Sequence, residues 1–567
     1  MKKGLRCVLS VFLIALVLCG AGAPGIQAAA PSCVVQPTMA GQPQTVSIAS
    51  KWLAPLQSLH WPSSTDDCGN MLKRVFYDYF DLALDVLLQA VLRLLPDIGW
   101  PDQEDYHTAN FCEGDSTFLE QPAQGARWSL GYAKASLLTG KETNGKHYHA
   151  GGFSFPAKPV TKVIDDQQVR AVALNDGSGR GIKVFVSLDS YGLSLTDVRA
   201  IRARLAGFAQ KNGIDAINVS AVHQHSCVDT LGLGGDLLKM LVGNAIITKY
   251  HLNFPISNGK NPDFMENLFS VTAEIIRQAV ASMAPGALYA STADVSAYMR
   301  DKRAPEVFDP NLTRLRFVPD GGGRETWIVN GAIHPVSFGT GSTEISSDFP
   351  HYMDQTVNQN SSANLIYFQG AELGITTQRE LTDQEGMTSL ESAQAYGTCL
   401  GEILCGIDAG EEIEVAPLLN LRIREISIPA DNQILVLAAK AQAIDAIVVK
   451  TADGVEMITE IGYLELGNTL CAVTIPGEIA PELIYGGCLP AEKAWNHTDW
   501  PLAPVSAAVP DRHMLLLGLT NDQAGYILPD NDVRCIIADV NEEVVSLGGR
   551  AGSTVVNGLH ALIESVK

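Results

Sequence analysis

Between residues 72 and 95, apolar and polar side chains recur at the period of an α-helix. Phe76, Phe80, Ala83, Leu84, Leu87, Val91 and Leu94 fall on one side, while Arg74, Asp78, Asp81, Asp85, Gln89 and Arg93 fall on the other. Pro96 ends the pattern, because it lacks a backbone donor and clashes with a preceding helical turn. The spacing predicts one long amphipathic helix whose apolar face packs on the rest of the chain. A lid or lipid-contacting element is the sharper reading, and the absence of a lysine-rich polar face argues against ordinary interfacial anchoring.

From about residue 126 the pattern changes to alternating strands and helices. Residues 182–188 read as a strand ending at Asp189, and residues 196–211 as a helix with Val198, Ile201, Leu205 and Phe208 on one face, closed by Gly213. A strand over 217–225 follows, giving the strand, helix, strand unit from which α/β sheets are built. Further strands are predicted at 326–333, 365–368, 434–438, 470–475 and 514–519, and helices at 263–281 and 389–404. The expected fold is α/β: mixed β-sheets flanked by helices, with a helical N-terminal segment over 31–125 and the main domain over 126–567.

Lys2, Lys3 and Arg6 precede an apolar run from Val8 to Leu18 and small residues ending in Ala28-Ala29-Ala30, the layout of a cleaved secretory signal over residues 1–30. The run is shorter than the ~20 residues that span a bilayer. Leu18 before Cys19 argues against lipidation there, so the expectation is a secreted or extracytoplasmic protein. The formal charge of −22 becomes about −25 without that leader, which excludes nucleic acid as a partner and makes any contact with an anionic membrane mainly apolar. Beyond the leader stand nine cysteines with no C-x-x-C pair, an odd number that leaves at least one unpaired.

Ile217, Val219, Ala221, His223 and His225 recur at period two, so in a strand an apolar row would end in two imidazoles on one face. Such a pair suits a zinc site, and it equally suits buried histidines held by hydrogen bonds. His334 follows another predicted strand and precedes Pro335, where α/β proteins assemble their sites. Glu478 follows the turn signal Pro476-Gly477, and Tyr526 follows the strand at 514–519 in the string Asn521-Asp522-Gln523-Ala524-Gly525-Tyr526. Taken singly, each of these side chains also fits a surface or packing role.

Read in order, these segments resemble the catalytic domain of the neutral/alkaline, non-lysosomal ceramidases. Gly131-Tyr132-Ala133, His149-Ala150-Gly151-Gly152-Phe153 and Val186-Ser187-Leu188-Asp189 are similar to its opening blocks. Ser220-Ala221-Val222-His223-Gln224-His225-Ser226 resembles the family's Ser-x-Thr-His-x-His-Ser segment, and Ala332-Ile333-His334-Pro335 with Ser346-Ser347-Asp348-Phe349-Pro350 resembles the next block. Thr474 to Glu478 and Gly518 to Ile527 are similar to the blocks that hold the family's glutamate and tyrosine ligands. The resemblance runs over roughly residues 126 to 567 in consistent order.

The resemblance implies Zn2+ held by His223, His334, Glu478 and Tyr526, with His225 beside the metal moving a proton or stabilising an oxyanion. It implies a zinc-dependent hydrolase that splits the amide of ceramide or a related N-acyl lipid into fatty acid and free amine, with peripheral membrane contact. The alternatives are a zinc hydrolase of another N-acyl or ester substrate, or a non-catalytic envelope binding protein on the same fold. Two segments depart from the family. Its Gly-Asp-x-Ser-Pro stretch is Gly374-Ile375-Thr376-Thr377-Gln378 here, with Thr377 as the positional match for the hydroxyl, and Cys227-Val228-Asp229-Thr230 follows the histidine pair in place of Gly-Pro.

Overall fold

The computed structural model describes residues 65–144, 148–152, 158–377, 386–534 and 542–567; the expected leader lies outside them, as do Cys33 and Cys535. The predicted amphipathic helix is α1 (Thr65–Leu94). Its Leu84, Leu88, Val91 and Leu92 are buried in one cluster with Leu241, Ala245, Val436 and Leu437, so the C-terminal half of the helix packs on the main domain, whereas Phe76 and Ala83 of the predicted apolar face are exposed.

A nine-stranded mixed sheet forms the first half of the core. Its strands include β1 (Trp128–Ser136), β2 (Gln168–Asn175), β3 (Ile182–Leu188), β4 (Ile214–Ala221), β5 (Ala284–Asp294), β6 (Asn311–Pro319), β7 (Thr326–Gly331) and β8 (Asn364–Gln369), in the spatial order β8-β7-β6-β5-β1-β2-β3-β4. Two neighbouring pairs run parallel, β3 with β4 and β7 with β8; the rest of this path is antiparallel. A five-stranded sheet supplies the second half. It contains β9 (Leu419–Pro429), β10 (Gly454–Leu466), β11 (Leu470–Thr474) and β12 (His513–Leu517), of which β11 and β12 are parallel.

The two sheets stack face to face. Val172, Phe185, Leu288 and Phe317 of the first meet Leu421, Leu464, Ala472 and Leu515 of the second. Outside the first sheet, α2 (Leu195–Asn212) and α4 (Pro262–Ala281) cover Val184, Val186 and Leu188; α3 (Leu237–Lys249) lies between them in sequence. Farther along, α5 (Asp348–Ser361) and α6 (Ser389–Gly406) cover β7 and β8 through Phe349, Met353, Tyr396 and Leu400. Outside the second sheet, Val555, Leu559 and Leu562 of the helix Ala551–Val566 pack on Ile461, Tyr463 and Val473. The order helix, sheet, sheet, helix explains why β3 reads as a continuous apolar run: both of its faces are covered. Lys183 in that strand stays buried because Asp115 and Asp215 neutralise it at 2.9 and 3.3 Å.

Two expectations need correction. The strand predicted over 434–438 is a helix, α7 (Gln433–Lys440), capped by the Asn432 side chain accepting from the Ile434 amide. A five-residue apolar run cannot distinguish the two by periodicity, and here the run buries Val436, Leu437 and Ala438 against α1. The strand predicted over 217–225 ends at Ala221, and His223 adopts a left-handed backbone with φ of 64°.

Candidate functional site

Three parallel strand pairs end at one place. The loop from Asp189 follows β3 and the loop from Val222 follows β4, while His334 and Glu372 follow β7 and β8. Glu478 and Tyr526 follow β11 and β12. Ligand sites of α/β sheets form outside such carboxyl ends, because the chain leaves each strand there free to present a side chain. The segment Gly518–Asn521 stitches the two sheets together at this point. Gly518 donates to the Gln369 carbonyl, Ala221 to the Leu519 carbonyl and Asn521 to the Val219 carbonyl.

The left-handed turn at His223 replaces the period-two alternation as the device that gathers the imidazoles. His223 stacks on Tyr191 with ring centroids 4.6 Å apart, and its Nδ1 lies 2.6 Å from the Tyr191 carbonyl oxygen. That contact directs Nε2 inward, where it has no hydrogen-bond partner and lies 3.1 Å from Glu478 Oε1. His225 Nε2 lies 2.8 Å from His334 Nε2, and the His334 ring is hydrogen-bonded to the backbone of Glu372. Burial, the neighbouring imidazoles and Lys302 hold His225 and His334 well below the usual histidine range, which keeps both rings neutral and able to donate a lone pair.

Glu372, which no sequence motif marks, joins the cluster as its second carboxylate. His223, His334, Glu372 and Glu478 each place a nitrogen or oxygen within 4.8 Å of the others. His223 Nε2, Glu372 Oε1 and Glu478 Oε2 are buried and unpartnered. Such atoms cost about 1–3 kcal/mol each when left unsatisfied, and a shared cation satisfies all of them. Two ligands about 2.0–2.1 Å from a tetrahedral zinc sit roughly 3.3 Å apart, close to the His223–Glu478 contact. The donor set therefore fits a divalent metal ion.

A cavity of about 610 Å³ opens onto this cluster. His225, His334, Glu478, Gln523, Tyr526 and Lys302 line its polar end, and Leu231, Leu233, Leu435, Val436, Val455 and Met457 line an apolar wall. The size suits a small organic ligand. Tyr526 pairs in register with Glu478 across a short parallel ladder, which brings the two side chains to the same end of the cavity. Thr377 is buried in a short strand opposite Met299, and from that strand Ile375 and Thr376 are the residues that line the cavity. In the departing segment after His225, Asp229 accepts from the amides of Leu231, Gly232 and Gly234, folding the cavity wall back on itself.

No family model matches this chain, and no curated protein matches it in sequence. Solved structures share its fold. A neutral ceramidase from Pseudomonas aeruginosa superposes with a TM-score of 0.56 at 15% identity, over 78% of this chain and 75% of that one. A ceramidase complexed with C2 gives a TM-score of 0.57 at 15% identity, over 77% and 75% of the two chains. The architecture described above is thus the one found in neutral ceramidase structures.

Proposed function

We propose that the protein is a zinc-dependent amidohydrolase that cleaves the amide bond of ceramide or a related N-acyl lipid, releasing a fatty acid and a free amine. The observation that carries this reading is the meeting of unpartnered His223 and Glu478 atoms with an apolar-walled cavity. In this reading His223, His334 and Glu478 hold the ion, with Tyr526 as the further ligand that the resemblance implies. Zinc bound there would polarise the amide carbonyl and lower the pKa of a bound water to about 7.

The chain's own groups do the rest. His225, neutral and beside His334, is placed to take a proton and return it to the leaving amine. The wall of Leu231, Leu435, Val436 and Met457 receives an acyl chain and excludes water from the reacting end. Secretion through the leader and peripheral contact with a lipid surface belong to the same reading. The second is supported by four exposed apolar residues, Tyr250, Leu252, Phe254 and Ile256, on the segment after α3.

Metal content by mass spectrometry, paired with fatty-acid release from a fluorescent ceramide before and after chelation, tests the proposal. About one zinc per chain with chelator-sensitive hydrolysis is expected. Zinc without hydrolysis points to another acyl substrate, and a protein without bound metal sinks the enzyme reading.

A further inference from the structure

We propose that Glu372 is a direct ligand to the metal ion, adding a second carboxylate to the site from its inner side. The inference rests on the metal-site reading above and is independent of the substrate. Glu372 is fully buried; Oε2 accepts from the Gln369 side-chain amide, and Oε1 has no partner. A carboxylate left without a partner in a dry interior keeps its charge only beside a cation, and Glu372 shares one cluster, all within 4.8 Å, with His223, His334 and Glu478, of which His223 and Glu478 also carry unpartnered atoms.

The surrounding backbone is built to hold it there. Gly370 has no side chain to strike Ala332, whose Cβ would lie 2.9 Å from an added methyl, so the end of β8 passes close beside the loop that carries His334. Gln369 donates to the Ile333 carbonyl as well as to Glu372, and the Ile375 amide donates to the Glu372 carbonyl. These bonds fix the carboxylate relative to His334. Oε2 is 3.9 Å from His334 Nδ1, too far for a hydrogen bond that would make it only an orienting partner.

The cavity is lined by His225, His334, Glu478 and Tyr526. Fully buried Glu372 stands behind them and is poorly placed to exchange protons with substrate. Direct ligation is the role its position leaves. The donor set then comprises two nitrogens and three oxygens once Tyr526 is included, richer in oxygen than a site with one carboxylate, and two carboxylates match the charge of a divalent ion.

The test compares wild type and Glu372→Gln, an isosteric change that removes the charge, for Co2+ and Zn2+ affinity and for the visible spectrum of the Co2+ form. A direct ligand predicts affinity weaker by at least about 100-fold, beyond what losing an outer partner costs, together with an altered spectrum. Glu372→Asp, which keeps the charge but draws the donor back, gives an altered spectrum as well and serves if the glutamine variant does not fold. Unchanged affinity, or weakened affinity with an unchanged Co2+ spectrum, overturns direct ligation. Wild type that binds neither ion overturns this inference and the metal-site reading together, whereas failure to hydrolyse ceramide leaves this inference standing.

Discussion

His223 is the residue on which the site turns. Its left-handed backbone breaks the strand, and its hydrogen bond to Tyr191 points Nε2 at Glu478. The H-x-H pair was visible in the sequence and so was the proximity it implied, but the reason was not, since period-two alternation stops at Ala221. Glu372 was illegible because nothing local distinguishes a carboxylate three residues beyond a strand; only the packing of β8 against β7 brings it to His334. His225 lines the cavity and bonds to His334, and in the proposed reading it moves a proton and does not hold the ion. Replacing it with glutamine is therefore expected to leave metal content near wild type and lower kcat by about 10²- to 10⁴-fold, the usual worth of a positioned acid–base group. Steady-state hydrolysis with metal analysis of the same sample checks this, and loss of the metal would assign His225 to ligation.

At the level of elements, long periodic segments were readable and short apolar ones were not. α1, α2 and α4 appear where their spacing places them, whereas the run at 434–438 became helix α7 because burial against α1 decides between conformations that the run itself tolerates. The segment after α3 has a different character. Tyr250, Leu252, Phe254 and Ile256 alternate along it and remain exposed, while Asn258 at its base bonds Asp445 on the cavity lining. In the proposed reading this exposed apolar edge next to the cavity would enter a lipid surface, and the acidic chain would favour a zwitterionic one. Burying one phenylalanine is worth about 1.5–3 kcal/mol, so Phe254→Ser should weaken binding to phosphatidylcholine vesicles by roughly tenfold or more. Turnover of a soluble short-chain substrate should not change; equal loss on both substrates would count against surface contact.

Among the described residues, several carboxyl groups are buried without a salt bridge. Burial pushes Asp522 and Glu482 up to about 7, and Asp229 and Asp348 up to about 6. Backbone and hydroxyl hydrogen bonds offset only part of that effect. Because these groups bind protons more tightly in the folded chain than in the unfolded one, their contribution to stability is greatest below the ordinary carboxylate range and is lost as pH rises through 6 to 7. Self-repulsion of a strongly acidic chain acts in the same direction. Metal-free protein should therefore melt at a higher temperature at pH 5 than at pH 8, with a smaller difference in Asp522→Asn. A melting temperature that rises over this interval would show that other groups govern.

The stitch of Gly518–Asn521 between the sheets has one more consequence. His223 and Tyr526 stand more than half the chain length apart, and the cluster exists only while both sheets are docked. A bound ion then behaves as a rivet through the sandwich, and its affinity becomes a gauge of assembly. In the proposed reading, a chain whose second sheet has come loose would keep its helices and strands but lose its grip on the ion, so that catalytic silence would precede the loss of secondary structure.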